Sequence, residues 1–178
     1  DRRLSAADSI AAAGMREVGL GVLLGLTDWR VETLALAEHA HHIIKRYWQS
    51  HVSFSFPRLR PAYKVQEAQF SPFTDRNLVQ MITALRLCFA DVGLVLSTRE
   101  RAALRDNLLA LGVTKLSAGS RTSPGGYSGR TEATGQFEID DHRSPAEVAA
   151  MIKQRGFEPV WKDWDKAFQD TRPRTQAK

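Results

Sequence analysis

The chain is poor in the residues that staple small proteins. It has a single cysteine, Cys88, in 178 residues, and one thiol cannot build an internal disulfide framework. No run of about 18 apolar residues occurs, so no helix is expected to span a membrane. The opening DRRLSAADSI is charged and lacks the apolar core of a secretory signal. It also lacks a leading Met and begins inside or just before a helix, so the chain is expected to be a fragment with a cytoplasmic location. No GxSxG elbow, Walker loop or CxxC pair is present. The formal charge of +5 is dispersed, much of it in the tail RPRTQAK. Without a basic stripe interleaved with aromatics, nucleic acid is not an expected partner.

What is present is ordinary globular material. The chain is 43% hydrophobic and 25% charged, enough for one sizeable core. Short apolar runs alternate with helical patterns. The spacing predicts helices over Ser5–Ala13, Val31–Trp48, Thr74–Ala90, Glu100–Leu111 and Pro145–Arg155. It predicts strands over Arg16–Leu26 (ending in a glycine turn), Val52–Leu59, Gly93–Ser97 and Val113–Ser117. Phe157–Trp161 reads as a last extended segment. In the pattern Leu78, Ile82, Leu85, Phe89, Cys88 is expected to be a core thiol. Ser144-Pro145-Ala146-Glu147 has a cap hydroxyl, Pro at the first helical position and Glu three after the cap. Ser97-x-x-Glu100 has the same spacing. Strands alternating with helices argue for parallel α/β units. An open doubly wound sheet and half of an eight-stranded barrel both fit. Both place ligand sites at the carboxyl ends of the strands.

Those ends share a chemistry. The first strand runs into GLGVLLGL, with Gly19, Gly21 and Gly25. The second is followed by PRLRP, with Arg58 and Arg60. The third is followed by STRE, with Ser97, Thr98 and Arg99. The fourth runs into SAGSRTSPGGY, with Ser117, Ser120 and Arg121. Arginine forks and hydroxyls suit carboxylate or phosphate oxygens. The long irregular stretch 118–143 is of a length that usually carries function. Each feature has a plainer alternative. The glycines serve close packing, the arginines pair with Glu100, Asp140 or Asp141, and Ser97 caps a helix. Taken together, the strand ends predict an α/β protein that binds a small anion. Glu38-His39-Ala40-His41-His42 is not a HExxH metal motif and is read as surface or packing. VWKDWD is read as a packing tail that buries Trp161 and Trp164.

In order along the chain, SFPRLRP, LSTRE, SAGSRTSPGGY, QFEIDDHRSP and PVWKDWD resemble the C-terminal half of the 2-iminoacetate synthases. These are the radical S-adenosylmethionine tyrosine lyases of thiamine thiazole synthesis. GLGVLLGL, then DWR and AEH, match the preceding strand and helix. The resemblance runs from about Ala12 to Asp165 and implies the C-terminal half of a TIM-like (β/α) barrel over residues 1–178. It implies cleavage of the tyrosine Cα–Cβ bond to 2-iminoacetate and p-cresol, begun by a 5′-deoxyadenosyl radical. It implies S-adenosylmethionine and a 4Fe-4S cluster as cofactors. The implied partners are thiazole synthase and an electron donor such as flavodoxin. Carried over by motif, Arg99 and Ser117 are candidates for holding the amino-acid carboxylate. Ser97, Ser120 and Arg121 lie beside them, and Arg58 and Arg60 face substrate or cofactor. The resemblance assigns Gly21, Val22 and Leu23 to the adenosyl side. The family's Cys-x3-Cys-x2-Cys motif is absent, so the chain is expected to be inactive alone. A non-catalytic half-barrel, or the tyrosine lyase of hydrogenase maturation, is the alternative.

Overall fold

The structure is a computed structural model that describes residues 2–59, 71–123 and 138–161. Four strands form one sheet: β1 (Glu17–Gly21), β2 (His51–Ser55), β3 (Gly93–Leu96) and β4 (Lys115–Leu116). All neighbours are parallel, and the spatial order is β1-β2-β3-β4. Helix α1 (Arg2–Ala12) precedes the sheet. Helices α2 (Trp29–Arg46), α3 (Asp75–Cys88) and α4 (Ala102–Leu108) are the crossovers, and α4 runs on into a 3-10 turn over Leu109–Leu111. Helix α5 (Pro145–Gln154) follows β4.

The strand order decides between the two architectures. A doubly wound sheet reverses its winding direction once. Here each crossover steps the same way, and right-handed crossovers that step one way place every helix on one face. The described strands therefore form a singly wound, barrel-type sheet. Register shows its two sides. Val18, Leu20, Val52, Phe54, Leu94 and Leu96 are buried and share a core with Leu36, Ala40 and Ile43 of α2 and Leu78, Met81, Ile82 and Leu85 of α3. The alternate positions are Glu17, Gly19, Gly21, His51, Ser53, Ser55, Gly93, Val95 and Lys115. That second face is small and polar.

Two of its features are structural. Lys115 Nζ reaches Glu17 Oε1 at 2.6 Å, from one edge strand to the other. Gly21 meets Ser55 so closely that a Cβ there would lie 2.5 Å from the Ser55 hydroxyl and 2.9 Å from its carbonyl oxygen. Burial pushes the Glu17 carboxyl up, but hydrogen bonds from Lys115 and Ser53 outweigh it, and the group sits below its ordinary range.

The Ser144 cap forms as the spacing predicts. Glu147 N–H donates to Ser144 Oγ at 3.3 Å, and Ser144 N–H donates to Glu147 Oε2 at 2.7 Å. The matching Ser97-x-x-Glu100 signal does not cap a helix. Helix α4 begins at Ala102, because Glu100 is drawn to Arg58 instead. Cys88 is exposed, contrary to the periodicity. Phe89 takes the inward place and packs edge-on against Phe54, ring centroids 5.5 Å apart. Val31 and Leu34 are likewise exposed on α2; its buried stripe is Trp29, Leu36, Ala40 and Ile43. Trp161 is 51% exposed rather than packed. It follows a segment without regular structure, whose Phe157 and Val160 are also exposed. Trp164 lies outside the described residues. His42 hydrogen-bonds Asp8 at 2.8 Å and so ties α2 to α1.

Arg86 closes the amino end of the sheet. Its guanidinium donates to the carbonyls of Phe89 (3.2 Å), Ala90 (2.7 Å), Val92 (3.0 Å) and Gly112 (2.7 Å). One fork thus gathers the end of α3, the start of β3 and the turn before β4. Gly112 has φ +98°, and a Cβ there would lie 2.8 Å from Arg86 Nε. Arg86→Leu is expected to lower stability by about 1–3 kcal/mol, since it strands carbonyls that are partly removed from water. Lysine, with no planar fork, is expected to recover only part of this. Urea unfolding at constant slope is the measurement.

Candidate functional site at the carboxyl ends of the strands

Parallel pairing carries the four strand ends to one rim. Between β1 and β2 it continues past the regular strands. Val22 N–H donates to Ser55 O at 3.1 Å, Leu24 N–H to Pro57 O at 2.9 Å and Leu59 N–H to Leu24 O at 2.9 Å. The backbone of Gly21, Val22 and Leu23 is thereby fixed at the rim. Next to it, Leu24, Gly25, Arg58, Leu59, Phe73 and Asp140 line a cleft of about 490 Å³. Trp29 is held under this edge by Phe73, edge-on at 5.9 Å.

Arg58 stands in the wall of this cleft with its donors engaged. Its Nε donates to Glu100 Oε1 at 2.9 Å, its second terminal nitrogen bonds Glu100 Oε2, and the first donates to Asp75 Oδ1 at 2.8 Å. Asp75 is shared with Arg101. The hydrogen bonds that Arg58 donates to Glu100 chiefly raise the Arg58 pKa, with Asp75 adding to it. Burial pushes the Asp75 carboxyl up, yet Arg58 and Arg101 hold it below its ordinary range. Glu100 itself is 2% exposed. This is the paired state named above as the plainer alternative for the rim arginines, and it makes Arg58 a brace between β2, α3 and the end of β3. Arg60 lies outside the described residues.

After β3, exposure alternates. Ser97 and Arg99 are half-buried, while Thr98 and Glu100 are buried. Arg99 N–H donates to Ser97 Oγ at 3.4 Å, and the Arg99 guanidinium donates to the Arg58 carbonyl at 3.2 Å. Leu96 pairs with Leu116, and Ser117 N–H donates to Leu96 O at 3.1 Å. Ser97 and Ser117 are therefore neighbours one step beyond the pairing. Ser120 is half-buried and Arg121 exposed on the outgoing loop.

The segment that returns after residue 137 is bound to the same rim. Asp140 and Asp141 N–H groups both donate to Thr98 O, at 3.0 and 3.1 Å, and Gly119 N–H donates to Arg143 O at 3.1 Å. Beneath it lies an ion cluster that the strand-end reading missed. Arg105 of α4, 0% exposed, bonds the Asp141 carboxylate and the Ser117 carbonyl. Arg143 also reaches Asp141, at 2.7 Å, and Asp106, at 2.8 Å. Burial pushes the Asp141 carboxyl up, but hydrogen bonds from Arg143 and the charge of Arg105 hold it down at about 2. The signal in the sequence was an arginine between Leu104 and Leu108, on the inward stripe of a helix.

The Asp141 shift has a stability consequence. Its folded pKa lies below the ordinary 3.8, so the unfolded chain binds the proton more tightly. The associated stability is present above pH 3.8 and is lost as pH falls toward about 2. It amounts to about 2 kcal/mol. Asp141→Asn is expected to be less stable at neutral pH and to lose that acid-side slope, as followed by denaturant unfolding across the window. Glu100→Gln leaves the Arg58 guanidinium without its main anion. It is expected to lower stability by about 3 kcal/mol, read as a lower urea midpoint.

Comparison with known proteins places the chain in a family. Residues 55–158 match the Biotin and Thiamin Synthesis associated domain. The chain is 44% identical over 164 residues to the 2-iminoacetate synthases of Escherichia coli K12 and Salmonella typhimurium LT2. That alignment takes in 92% of this chain but 43% of each of those proteins. Among solved structures it resembles HydG, described as a maturase of the FeFe-hydrogenase, with TM-score 0.82 and 34% identity over 94% of this chain and 36% of that one. The HydG of Carboxydothermus hydrogenoformans gives TM-score 0.79 and 37% identity, covering 93% of this chain and 38% of that one. The four parallel strands with their flanking helices match the C-terminal part of the radical S-adenosylmethionine barrel of these proteins. By sequence and by fold, the chain belongs to the Biotin and Thiamin Synthesis associated domain family.

Proposed function

We propose that the chain is the substrate-side half of a 2-iminoacetate synthase, which cleaves tyrosine at its Cα–Cβ bond to 2-iminoacetate and p-cresol. The observation that carries this reading is a coincidence. The chain is 44% identical to 2-iminoacetate synthases, and Ser97 and Ser117 are neighbours at the carboxyl ends of β3 and β4, with the Arg99 guanidinium on the adjoining Arg58 carbonyl. The lower identity to the hydrogenase maturases, 34% and 37%, favours the thiazole branch over hydrogenase maturation.

In this reading the Arg99 fork takes the amino-acid carboxylate, and Ser117, with Ser97 beside it, donates to the remaining oxygen lone pairs. Ser120 and Arg121, on the loop that leaves β4, extend the same rim. Arg58, bonded to Glu100 and Asp75, contributes by holding the Arg99 side chain through its own carbonyl. A carboxylate fixed at two strand ends orients the Cα–Cβ bond before any chemistry begins.

The adenosyl group of S-adenosylmethionine fits against Gly21–Leu23, where the backbone is pinned and side-chain bulk is excluded by Ser55. The iron–sulfur cluster does not fit this chain. Cys88 is its only thiol. It is the last residue of α3, at the opposite end of the sheet from the rim, whereas such clusters are held by several thiolates. The cluster, the radical step, and docking of thiazole synthase and an electron donor such as flavodoxin belong to the longer protein.

The test is p-cresol release from tyrosine by the full-length protein with its cluster reconstituted. Arg99→Lys is expected to raise the KM for tyrosine by about 10- to 100-fold, as loss of a bidentate contact does. No p-cresol from the reconstituted protein, or an Arg99→Lys variant indistinguishable from wild type, overturns the reading.

A further inference from the structure

We propose that Arg105 is a positioning residue for the carboxylate rim. It sits on α4, behind the sheet, and touches neither of the carboxylate-binding side chains. Its guanidinium bonds the Ser117 carbonyl at the end of β4 and the Asp141 carboxylate on the returning segment. Asp141 in turn donates its own N–H to the carbonyl of Thr98, the residue before Arg99. One cation therefore holds the Ser117 backbone directly and reaches the Thr98 backbone through Asp141. The last bond between β3 and β4 is Ser117 N–H to Leu96 O at 3.1 Å, and the Arg105 grip fixes the other side of Ser117, its carbonyl, where that pairing has stopped.

The cation is costly where it is. Arg105 and Asp141 are 0% and 1% exposed. Burial pulls the Arg105 pKa down against the opposing pull of Asp141. Its Nε has no hydrogen-bond partner among the described residues. An apolar side chain flanked by Leu104 and Leu108 would fill the same space without that desolvation. Asp141 would keep an anion's partner, because Arg143 also bonds it. A buried cation retained at this place earns its position by fixing geometry, and the geometry it fixes is that of Ser117 and Thr98.

The inference rests on the carboxylate reading of Arg99 and Ser117, and the experiment separates the two. Tyrosine affinity is measured by calorimetry in the full-length protein carrying Ser117→Ala, Arg105→Met, Arg105→Lys, or Ser117→Ala combined with Arg105→Lys. Amide exchange over 117–123 and 138–143 is measured in parallel. Arg105→Met is expected to weaken tyrosine binding by about 10-fold and to speed exchange in both segments, with kcat at saturating tyrosine within about 3-fold. Arg105→Lys, which keeps the charge but not the fork, is expected to recover part of the affinity. In the Ser117→Ala background, Arg105→Lys is expected to add little, because two residues acting through one contact are not additive. If Ser117→Ala leaves affinity unchanged, the carboxylate reading fails and this inference with it. If Ser117→Ala weakens binding but folded Arg105→Lys and Arg105→Met do not, the positioning role alone is overturned. Should Arg105→Met not fold, the lysine variant and the double variant decide by the same criteria.

Discussion

The handedness of the crossover governs most of this molecule. Each strand leaves the sheet through a helix and returns beside its predecessor, always stepping in one direction. Right-handed connections then stack every helix on one side. The apolar faces of α2 and α3 cover Val18, Val52, Phe54 and Leu94, so the hydrophobic driving force is spent entirely on that side. The opposite face is left to residues chosen for size and polarity rather than for burial. Parallelism brings the four strand ends to one rim, and only there do loops have the length to present side chains.

Apart from the Lys115–Glu17 pair, the polar interactions of the sheet ends divide into two kinds along the strand axis. At the amino end, Arg86 collects backbone carbonyls and needs no anion. At the carboxyl end, cations and carboxylates are woven together: Arg58 with Glu100 and Asp75, Arg105 and Arg143 with Asp141. Ion pairs that shield charge this thoroughly belong where backbone segments without regular pairing must still hold one arrangement.

Local signals in the sequence located most elements, and competing partners explain where they misled. The alternation of short apolar runs with helical spacing was legible because each strand has one face in the core. The Ser144 cap formed as spelled because, among the described residues, no guanidinium bonds Glu147. Glu100 has the same spacing, but the half-buried Arg58 guanidinium attracts a carboxylate more strongly than a neighbouring backbone N–H does, and α4 starts later. Cys88 and Phe89 lie next to each other on a helix end, and the larger ring took the inward place against Phe54. The placing of Ser97 beside Ser117 at the carboxyl ends of β3 and β4 was legible from strand ends alone. Arg105 was not, because its role depends on where the chain returns after residue 137, and no local pattern encodes that return.

The bond from Lys115 to Glu17 joins the first strand to the fourth without touching the backbone between them. Glu17 also bonds Ser53, and the space above Gly93 is already tight against Ser53. The Lys115–Glu17 bond acts as a bowstring. A string across an arc draws its ends together, so this pair favours a sheet whose first and fourth strands bend toward one another over the glycines and serines between them.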